Sequence, residues 1–186
     1  MKFLLLNAGA KNNGATQEIL LTIKTEISNG EITDIFCLGD LNINYCKGCM
    51  KCYNTCVCVQ NDDMNILIDA IDSSDIIVIA SPSYWADVPG QFKVFIDRCT
   101  VYSETNPNPN HRTLKSGKKC YAIALRRGKR TSECEHIIDS INHWCGHMKI
   151  EMVDSMYFCE IGNKDDVTRH KETICKKTDE WFGELI

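Results

Sequence analysis

Short apolar segments alternate with helical patterns along the chain of 186 residues. The segment Ile76-Ile77-Val78-Ile79-Ala80 is apolar throughout, which is typical of a central strand buried on both faces. Regular alternation of strands and helices predicts a parallel sheet covered by helices on both sides, with right-handed connections. The other predicted strands span 3–6, 32–38, 120–125 and 150–158, and helical spacing predicts helices over 19–27, 64–71, 92–99, 137–145 and 167–185.

The polarity of the strands indicates their order in the sheet. The second and fifth strands are the least continuously apolar, so they suit the edges, and the order 2-1-3-4-5 places them there. In that order the connections change direction between strands one and three, where open α/β sheets bind ligands beyond the C-terminal ends of the strands. We predict an α/β fold, a three-layer sandwich that forms a single domain over residues 1–186, with a cysteine-rich loop at 44–62.

The segment from Asn7 to Thr16 follows the first strand and precedes the first helix, so it lies at the predicted switch point. It holds glycine, asparagine, lysine and threonine but no acidic residue. The free N–H groups and the positive dipole end of a helix N-terminus bind anions, so the loop predicts a phosphate site, with an ordinary strand-to-helix turn as the alternative. The residues assigned to this site are Gly9, Lys11, Asn13, Gly14, Ala15 and Thr16.

A second loop follows the third strand and reaches the same end of the sheet. It holds two adjacent aromatic residues, whose side chains point in different directions and suit the surroundings of a flat ring. The alternative is that one ring packs under the loop while the other covers an interface. A phosphate and a planar ring together indicate a mononucleotide, and FMN fits best. The residues assigned here are Pro82, Ser83, Tyr84 and Trp85.

These loops, with the segments 88–93 and 95–98, resemble the flavodoxin-like NADPH-dependent FMN reductases over nearly the whole chain. The resemblance implies a flavodoxin-like fold, FMN as cofactor and NAD(P)H as co-substrate. Two loops depart from the family pattern. Ala8-Gly9-Ala10-Lys11 stands where the family usually has Gly-Ser-Pro-Arg, and Arg126-Arg127-Gly128-Lys129-Arg130 replaces a loop that is often rich in glycine. Through this third loop Arg127 is assigned to the cofactor site.

Five cysteines lie between residues 46 and 58, which is too dense for core packing. Thiolates at such spacings can hold a small metal cluster. The spacing, followed by Asp62-Asp63-Met64, resembles the iron–sulfur flavoproteins of the same fold, in which four cysteines bind a [4Fe–4S] cluster close to the flavin. The alternatives are zinc and a thiol-rich loop buried at a subunit interface. The ligands common to every scheme are Cys46, Cys49 and Cys52.

The fourth ligand is either Cys56 or Cys58. Cys56 has the spacing found in bacterial ferredoxins, but there the corresponding cysteine serves a second cluster and is followed by proline, whereas Val57 follows here. Cys58 has the spacing of the iron–sulfur flavoproteins, and this resemblance assigns it as the ligand. The remaining cysteines are predicted to be small buried side chains: Cys37, Cys99, Cys120, Cys134, Cys145, Cys159 and Cys175.

Composition limits the partners of the chain. The net charge of −4 argues against a general binder of nucleic acid or of anionic membranes, and no apolar run reaches membrane-spanning length. The lack of a signal-peptide pattern predicts a cytoplasmic protein, in which cysteines serve as thiols or metal ligands rather than disulfides.

We therefore predict an FMN-dependent oxidoreductase. NAD(P)H would reduce the flavin, and electrons would pass, with or without a cluster, to a small-molecule or protein acceptor. A ferredoxin-linked electron carrier without nicotinamide turnover and a redox sensor based on the cysteine loop are the alternatives. A homodimer or homotetramer is also predicted, because the cysteine loop and the loop at 106–110 are long, and in family members such loops meet across subunits.

Overall fold

The computed structural model describes residues 1–27 and 31–185, with residues 31–34 described by their backbone alone. The side chains at 32–34, part of the predicted second strand, therefore lie outside the described part. Five strands pair in parallel in the order β2-β1-β3-β4-β5, which confirms the predicted order. They are β1 (Lys2–Asn7), β2 (Glu31–Cys37), β3 (Ile76–Pro82), β4 (Lys119–Leu125) and β5 (Glu151–Phe158).

Helices connect and follow these strands. One short helix of four residues, α2, lies inside the cysteine-rich loop and was not predicted, because so short a segment shows no apolar period. Among the described residues no helix is both long and apolar enough to cross a membrane. The helices are α1 (Ala15–Glu26), α2 (Cys52–Thr55), α3 (Met64–Ser73), α4 (Gly90–Arg98), α5 (Thr131–His147) and α6 (Lys171–Phe182).

The last helix begins later than the predicted Val167. Residues Lys164–His170 form a 3-10 helix that precedes α6. The Asn163 side chain accepts a hydrogen bond from the N–H of Asp166 at 3.3 Å, and the Asp166 carboxylate accepts one from the N–H of Asn163 at 3.1 Å. This reciprocal cap starts the tighter turn ahead of the predicted helix, because it satisfies N–H groups that would otherwise lack partners.

Successive residues of β1 point to opposite faces of the sheet and enter two separate cores. Leu4 and Leu6 pack with buried residues of α3, α4 and α5, whereas Phe3 and Leu5 pack with those of α1 and α6. All four side chains are fully buried. Helices therefore cover both faces of the sheet, which confirms the three-layer arrangement and leaves the C-terminal edge of the sheet free for a site.

Candidate functional site

Three loops meet at the C-terminal edge of the sheet. The N–H of Ala8, after β1, donates to the oxygen of Ala80 in β3 at 2.8 Å. The N–H of Ser83, after β3, donates to the oxygen of Leu125 at the end of β4 at 2.7 Å. These bonds hold the loops side by side around a cavity of about 230 Å³, here called the loop cavity. The predicted cofactor residues that line it are Gly9, Lys11, Gly14, Ala15, Thr16, Pro82, Ser83, Tyr84 and Arg127.

Asn7 shapes the first loop from the end of β1, a role that sequence reasoning missed. Its buried side chain accepts a hydrogen bond from the N–H of Gly9 at 2.8 Å. It donates to the oxygen of Lys11 at 3.0 Å and to the side-chain oxygen of Gln17 at 2.9 Å. A buried amide with all these partners holds the loop in shape without a ligand. The sequence carried one signal of this role, since Asn7 is a polar residue at the end of an apolar strand.

The N-terminus of α1 borders the same cavity. The helix follows Gly14, which has no side chain to cap the N–H groups of the first turn. Those N–H groups and the positive end of the helix dipole favour an anion at this place. Thr16 is buried in the first turn and Lys11 is exposed on the loop, and both line the cavity. Asn13 is exposed and lies outside the lining.

Gly39 lets the segment after β2 approach the first loop very closely. A Cβ atom at position 39 would lie 2.3 Å from the backbone oxygen of Ala10, which is far inside contact distance. The first loop therefore rests directly on the backbone of its neighbour, and only glycine leaves the necessary space. No motif in the sequence marks this contact, because the two residues belong to different loops.

Gly39→Ala is expected to lower the free energy of unfolding by about 1–3 kcal/mol, as overpacking commonly does. FMN binding should weaken as well, because Ala10 must move to make room. Urea unfolding and an FMN titration measure the two effects. Gly146→Ala is the matched control, since a Cβ at position 146 meets nothing within 4 Å. Equal stability and equal FMN affinity in Gly39→Ala and Gly146→Ala would contradict the close contact between Gly39 and Ala10.

The turn that carries Tyr84 and Trp85 is closed by two backbone hydrogen bonds. The N–H of Tyr84 donates to the oxygen of Asp87 at 2.9 Å, and the N–H of Asp87 donates back at 3.1 Å. The central residues Trp85 and Ala86 have φ angles of 54° and 62°, in the left-handed region that favours glycine and asparagine. Each such residue costs on the order of 1–3 kcal/mol, and strain of this kind clusters at ligand sites.

This turn holds the indole of Trp85 fully exposed to solvent. Trp85 lines a neighbouring cavity of about 330 Å³, here called the rim cavity, whereas Tyr84 lines the loop cavity. The two aromatic rings thus border adjacent cavities rather than sharing one. An exposed ring on a strained turn adds nothing to the core, so it is free to contact a ligand or a second subunit.

Trp85→Gly and Trp85→Ala both remove the indole ring, but only glycine relieves the backbone strain. We expect the glycine variant to be more stable in urea than the alanine variant by about 1 kcal/mol. Both should bind FMN more weakly than the parent, because both lack the ring. FMN affinity equal to that of the parent in both variants would show that the indole does not serve the flavin.

An ion pair braces the third loop. Arg126 Nη1 lies 2.9 Å from Glu133 Oε1, and each side chain is only 16% exposed. Ser83 Oγ donates to the other carboxylate oxygen of Glu133 at 3.2 Å, and Arg126 Nη1 also donates to the oxygen of Arg130 at 2.8 Å. The loops after β3 and β4 are therefore tied together, while Arg127 stays exposed beside the loop cavity.

The cysteine-rich loop encloses a separate cavity of about 170 Å³, here called the cysteine cavity. Burial raises the pKa of the Cys52 thiol, and the neighbouring thiols Cys58, Cys46 and Cys49 raise it further. The thiol of Cys52 therefore lies within electrostatic reach of the other three. All four predicted ligands line this cavity: Cys46, Cys49, Cys52 and Cys58.

Cys56 is not among the residues that line the cysteine cavity. It directly follows α2 with a φ angle of 59°, and its N–H donates to the oxygen of Cys52 at 3.0 Å. Glycine commonly occupies such a left-handed position at the end of a helix. Across the described ranges, no three His, Cys, Asp or Glu side chains already converge as ligands of one metal ion, so the ligand set stays a prediction.

A buried ion pair lies beside the cysteine cavity, which Arg98 lines, and sequence reasoning missed this pair. Arg98 Nη1 lies 2.6 Å from Asp62 Oδ2, and Arg98 Nη2 lies 3.1 Å from Asp62 Oδ1. The side chains are only 2% and 1% exposed. Arg98 also donates to the oxygen of Asn44 at 2.7 Å, and the N–H of Asn44 donates to Asp62 at 3.1 Å. This network fastens both ends of the cysteine loop to α4.

The pKa of Asp62 reflects this arrangement. Burial alone would raise it, but hydrogen bonds from Arg98 and from the N–H groups of Asn44 and Met64 lower it from 3.8 to about 2. The carboxylate is therefore held ionised at neutral pH. The charged partner lies 36 residues away in sequence, and no local pattern joins the two.

The site combines an uncapped helix N-terminus with an aromatic turn at the switch point of a 2-1-3-4-5 sheet, the strand order of flavodoxin-like α/β proteins. The family model of the NADPH-dependent FMN reductases matches residues 1–172, and the chain belongs to that family.

Two curated relatives are iron–sulfur flavoproteins. The chain is 31% identical to one from Clostridioides difficile strain 630 over 161 residues, which is 81% of this chain and 68% of that protein. It is 32% identical to one from Archaeoglobus fulgidus over 124 residues, which is 67% of this chain and 53% of that protein. The matched region thus leaves a substantial part of each relative uncovered.

Solved structures share the fold at low identity. An FMN-dependent NADH-azoreductase from Bacillus anthracis, in complex with FMN, superposes with a TM-score of 0.69 at 16% identity and covers 97% of this chain and 99% of its own. A flavone reductase gives a TM-score of 0.70 at 16% identity, with 97% of this chain and 62% of its own covered. At such identities the likeness supports the flavodoxin-like fold alone.

Proposed function

We propose that the chain accepts hydride from NAD(P)H on a bound FMN and passes electrons to a small-molecule or protein acceptor. One observation carries the proposal: the uncapped N-terminus of α1 and the Tyr84–Trp85 turn border one end of the sheet together. The helix N-terminus can bind the phosphate of a mononucleotide, and the turn offers aromatic surface to its flat ring. FMN supplies the hydride chemistry when it is bound, so the protein's task is to hold and orient it.

Different loops would bind different parts of FMN. Gly9, Lys11 and the first turn of α1 from Gly14 to Thr16 would hold the phosphate through backbone N–H groups, one cation and one hydroxyl. Pro82 to Trp85 would contact the ring, and Arg127 would lie beside it as an exposed cation. The hydrogen bonds of Asn7 and the ion pair between Arg126 and Glu133 would keep these loops in place before FMN binds.

Titration with FMN and with riboflavin tests this assignment, because riboflavin lacks the phosphate. FMN should bind at least about tenfold more tightly than riboflavin, since charge-assisted hydrogen bonds to the phosphate are lost with the latter. Lys11→Gln should narrow that difference. Lys93→Gln, which removes another exposed lysine, is the control. Binding of neither flavin would overturn the proposal.

We further propose that Cys46, Cys49, Cys52 and Cys58 hold a [4Fe–4S] cluster. Their shared place on the cysteine cavity, the exclusion of Cys56 from it and the nearby Arg98 support this set. Such a cluster, when bound, takes up and releases single electrons. None of the twelve cysteines, all of which lie in the described part of the chain, forms a disulfide, which also fits a reducing compartment such as the cytoplasm.

Helix α4 joins the two proposed cofactor sites. Gln91 at its start donates to the oxygen of Ala8 in the first loop at 3.3 Å, and Arg98 at its end borders the cysteine cavity. At the rise of an α-helix these two residues are roughly 10 Å apart along the axis. The contact of one helix with both the first loop and the cysteine cavity supports a path of electrons between a flavin and a cluster.

An electron carrier without nicotinamide turnover is the second candidate. The exposure of Cys46 and Cys49 favours it, because a protein donor such as a ferredoxin could approach a cluster there directly. Steady-state oxidation of NADPH and NADH by the holoprotein separates the two candidates. Rapid turnover supports the reductase, whereas rapid reduction by ferredoxin without such turnover supports the carrier.

We also propose that the chain forms a homodimer or homotetramer. Large apolar side chains on the cysteine loop are exposed, and contiguous exposed apolar surface is typical of an interface. The loop at 106–110 is fastened to this region, because Asn108 Nδ2 donates to the oxygens of Tyr53 and Asn54 at 2.9 and 3.1 Å. Light scattering at micromolar concentration tests the proposal, and a monomer would contradict it. The exposed side chains are Tyr45, Met50, Val57 and Val59.

A further inference from the structure

The guanidinium of Arg98 carries a buried donor without a partner. Arg98 is 3% exposed, and its two terminal nitrogens bond to Asp62 and Asn44. Its remaining nitrogen, Nε, is buried and has no hydrogen-bond partner among the described residues. Buried donors in native proteins are nearly always paired, so one without a partner calls for a ligand, an ion or a water.

The surroundings of Arg98 indicate which acceptor is missing. Arg98 lines the cysteine cavity together with the four predicted cluster ligands. Burial by itself would lower the pKa of Arg98, but Asp62 and then Cys58 act on the guanidinium to raise it above its usual value. The positive charge therefore lies within electrostatic reach of Cys58, while Asp62 holds the guanidinium in place.

We propose that Arg98, positioned by Asp62, donates its free N–H to sulfur at the Cys58 corner of the cluster and raises the reduction potential of that cluster. The proposal rests on the cluster proposed above. Hydrogen bonds to cluster sulfurs and nearby charge are established determinants of reduction potential, and both act more strongly on the more negative, reduced state. One electron enters the cluster on reduction, and Arg98 remains protonated throughout.

The competing explanation is that the Arg98–Asp62 pair only fastens the cysteine loop to α4. A purely structural pair would affect stability and cluster retention but not the potential of a cluster that is fully assembled. The potential of the loaded protein therefore separates the two roles, while iron and sulfide content report assembly alone.

The test compares two double variants with identical chemistry. Asp62→Asn/Arg98→Gln removes the buried pair without leaving a lone charge. Asp69→Asn/Arg112→Gln removes an exposed pair whose atoms lie 2.8 Å apart, with the side chain of Asp69 66% and that of Arg112 46% exposed. Each protein is reconstituted anaerobically with iron and sulfide, its iron is counted, and its cluster is titrated electrochemically with detection by electron paramagnetic resonance.

We expect full iron content in both variants and a lower potential only in Asp62→Asn/Arg98→Gln. The equilibrium constant for cluster reduction should fall about tenfold, which is about 59 mV for a one-electron couple. An unchanged potential in a fully loaded buried-pair variant would overturn the proposal. If that variant does not fold, Arg98→Lys serves instead. This substitution keeps the positive charge but loses the N–H at Nε. A cluster potential equal to that of the parent would then overturn the proposal.

The proposed cluster and the proposed role of Arg98 can be refuted separately. A parent protein that binds FMN but takes up no iron refutes the cluster and with it the role of Arg98. A parent protein with a full cluster whose potential does not respond to the loss of Arg98 refutes this inference alone and leaves the proposed cluster intact.

Discussion

Cys58→Ser is expected to leave the protein without an intact [4Fe–4S] cluster after anaerobic reconstitution, whereas Cys56→Ser is expected to keep the full complement of iron. Cys58 lines the cysteine cavity with three other thiols, while Cys56 is held in a left-handed turn outside it. Four thiolates anchor such a cluster, so Cys58→Ser removes one of the four thiolate bonds, whereas Cys56→Ser removes none. Iron and acid-labile sulfide content measure the difference directly.

The comparison contains its own control, because both variants change one sulfur to oxygen in the same loop. A general loss of loop structure would reduce iron in both. Equal iron content in the two variants would contradict the assignment of Cys58 as the fourth cluster ligand. Loss of iron in Cys56→Ser alone would assign the fourth ligand to the ferredoxin spacing instead.

Arg98→Met is expected to lower the free energy of unfolding of the iron-free protein by about 3–5 kcal/mol. The substitution keeps much of the side-chain volume but leaves the Asp62 carboxylate, only 1% exposed, without its counter-charge. Asp62→Asn/Arg98→Met should recover most of the loss, because no lone charge is then buried. Urea unfolding of the parent and of both variants measures these values. A double variant as unstable as Arg98→Met would contradict the explanation.

The same pair predicts a dependence of stability on pH. The pKa of Asp62 is lowered from 3.8 to about 2 in the folded protein, which corresponds to about 2 kcal/mol of stabilisation. Because the folded pKa is depressed, this stabilisation is fully present above about pH 4 and disappears as the pH falls toward 2. The stability of the iron-free parent should therefore fall more steeply over this window than that of Asp62→Asn. Parallel curves of stability against pH for the parent and for Asp62→Asn would contradict the lowered pKa of Asp62.

The order of the sheet could be predicted from the sequence because it depends on periodic features. The continuous apolar run from Ile76 to Ala80 requires burial on both faces, and the mixed polarity of β2 and β5 suits the edges. The convergence of the first two loops follows from that order, since the C-terminal ends of neighbouring parallel strands lie side by side. The local pattern was therefore sufficient to predict the order of the sheet and the meeting of the first two loops at its C-terminal edge.

The contacts that shape the site could not be predicted in the same way. Gly39 meets Ala10 and Arg98 meets Asp62 only after the chain has folded, and neither pair has a periodic signal. The left-handed angles of Trp85 and Cys56 oppose local preference, since neither residue favours that region. Tertiary packing overrides propensity at these two positions. Of the residues named here, Ala10, Trp85 and Arg98 line the cavities of the proposed cofactor sites.

The absorption spectrum of the anaerobically purified protein, recorded before and after addition of NADPH, tests the central claim most directly. The proposed function predicts the bands of an oxidised flavin over the broad absorbance of an iron–sulfur cluster, and bleaching of the flavin bands by NADPH. A spectrum without flavin bands, unchanged after titration with excess FMN, would contradict it.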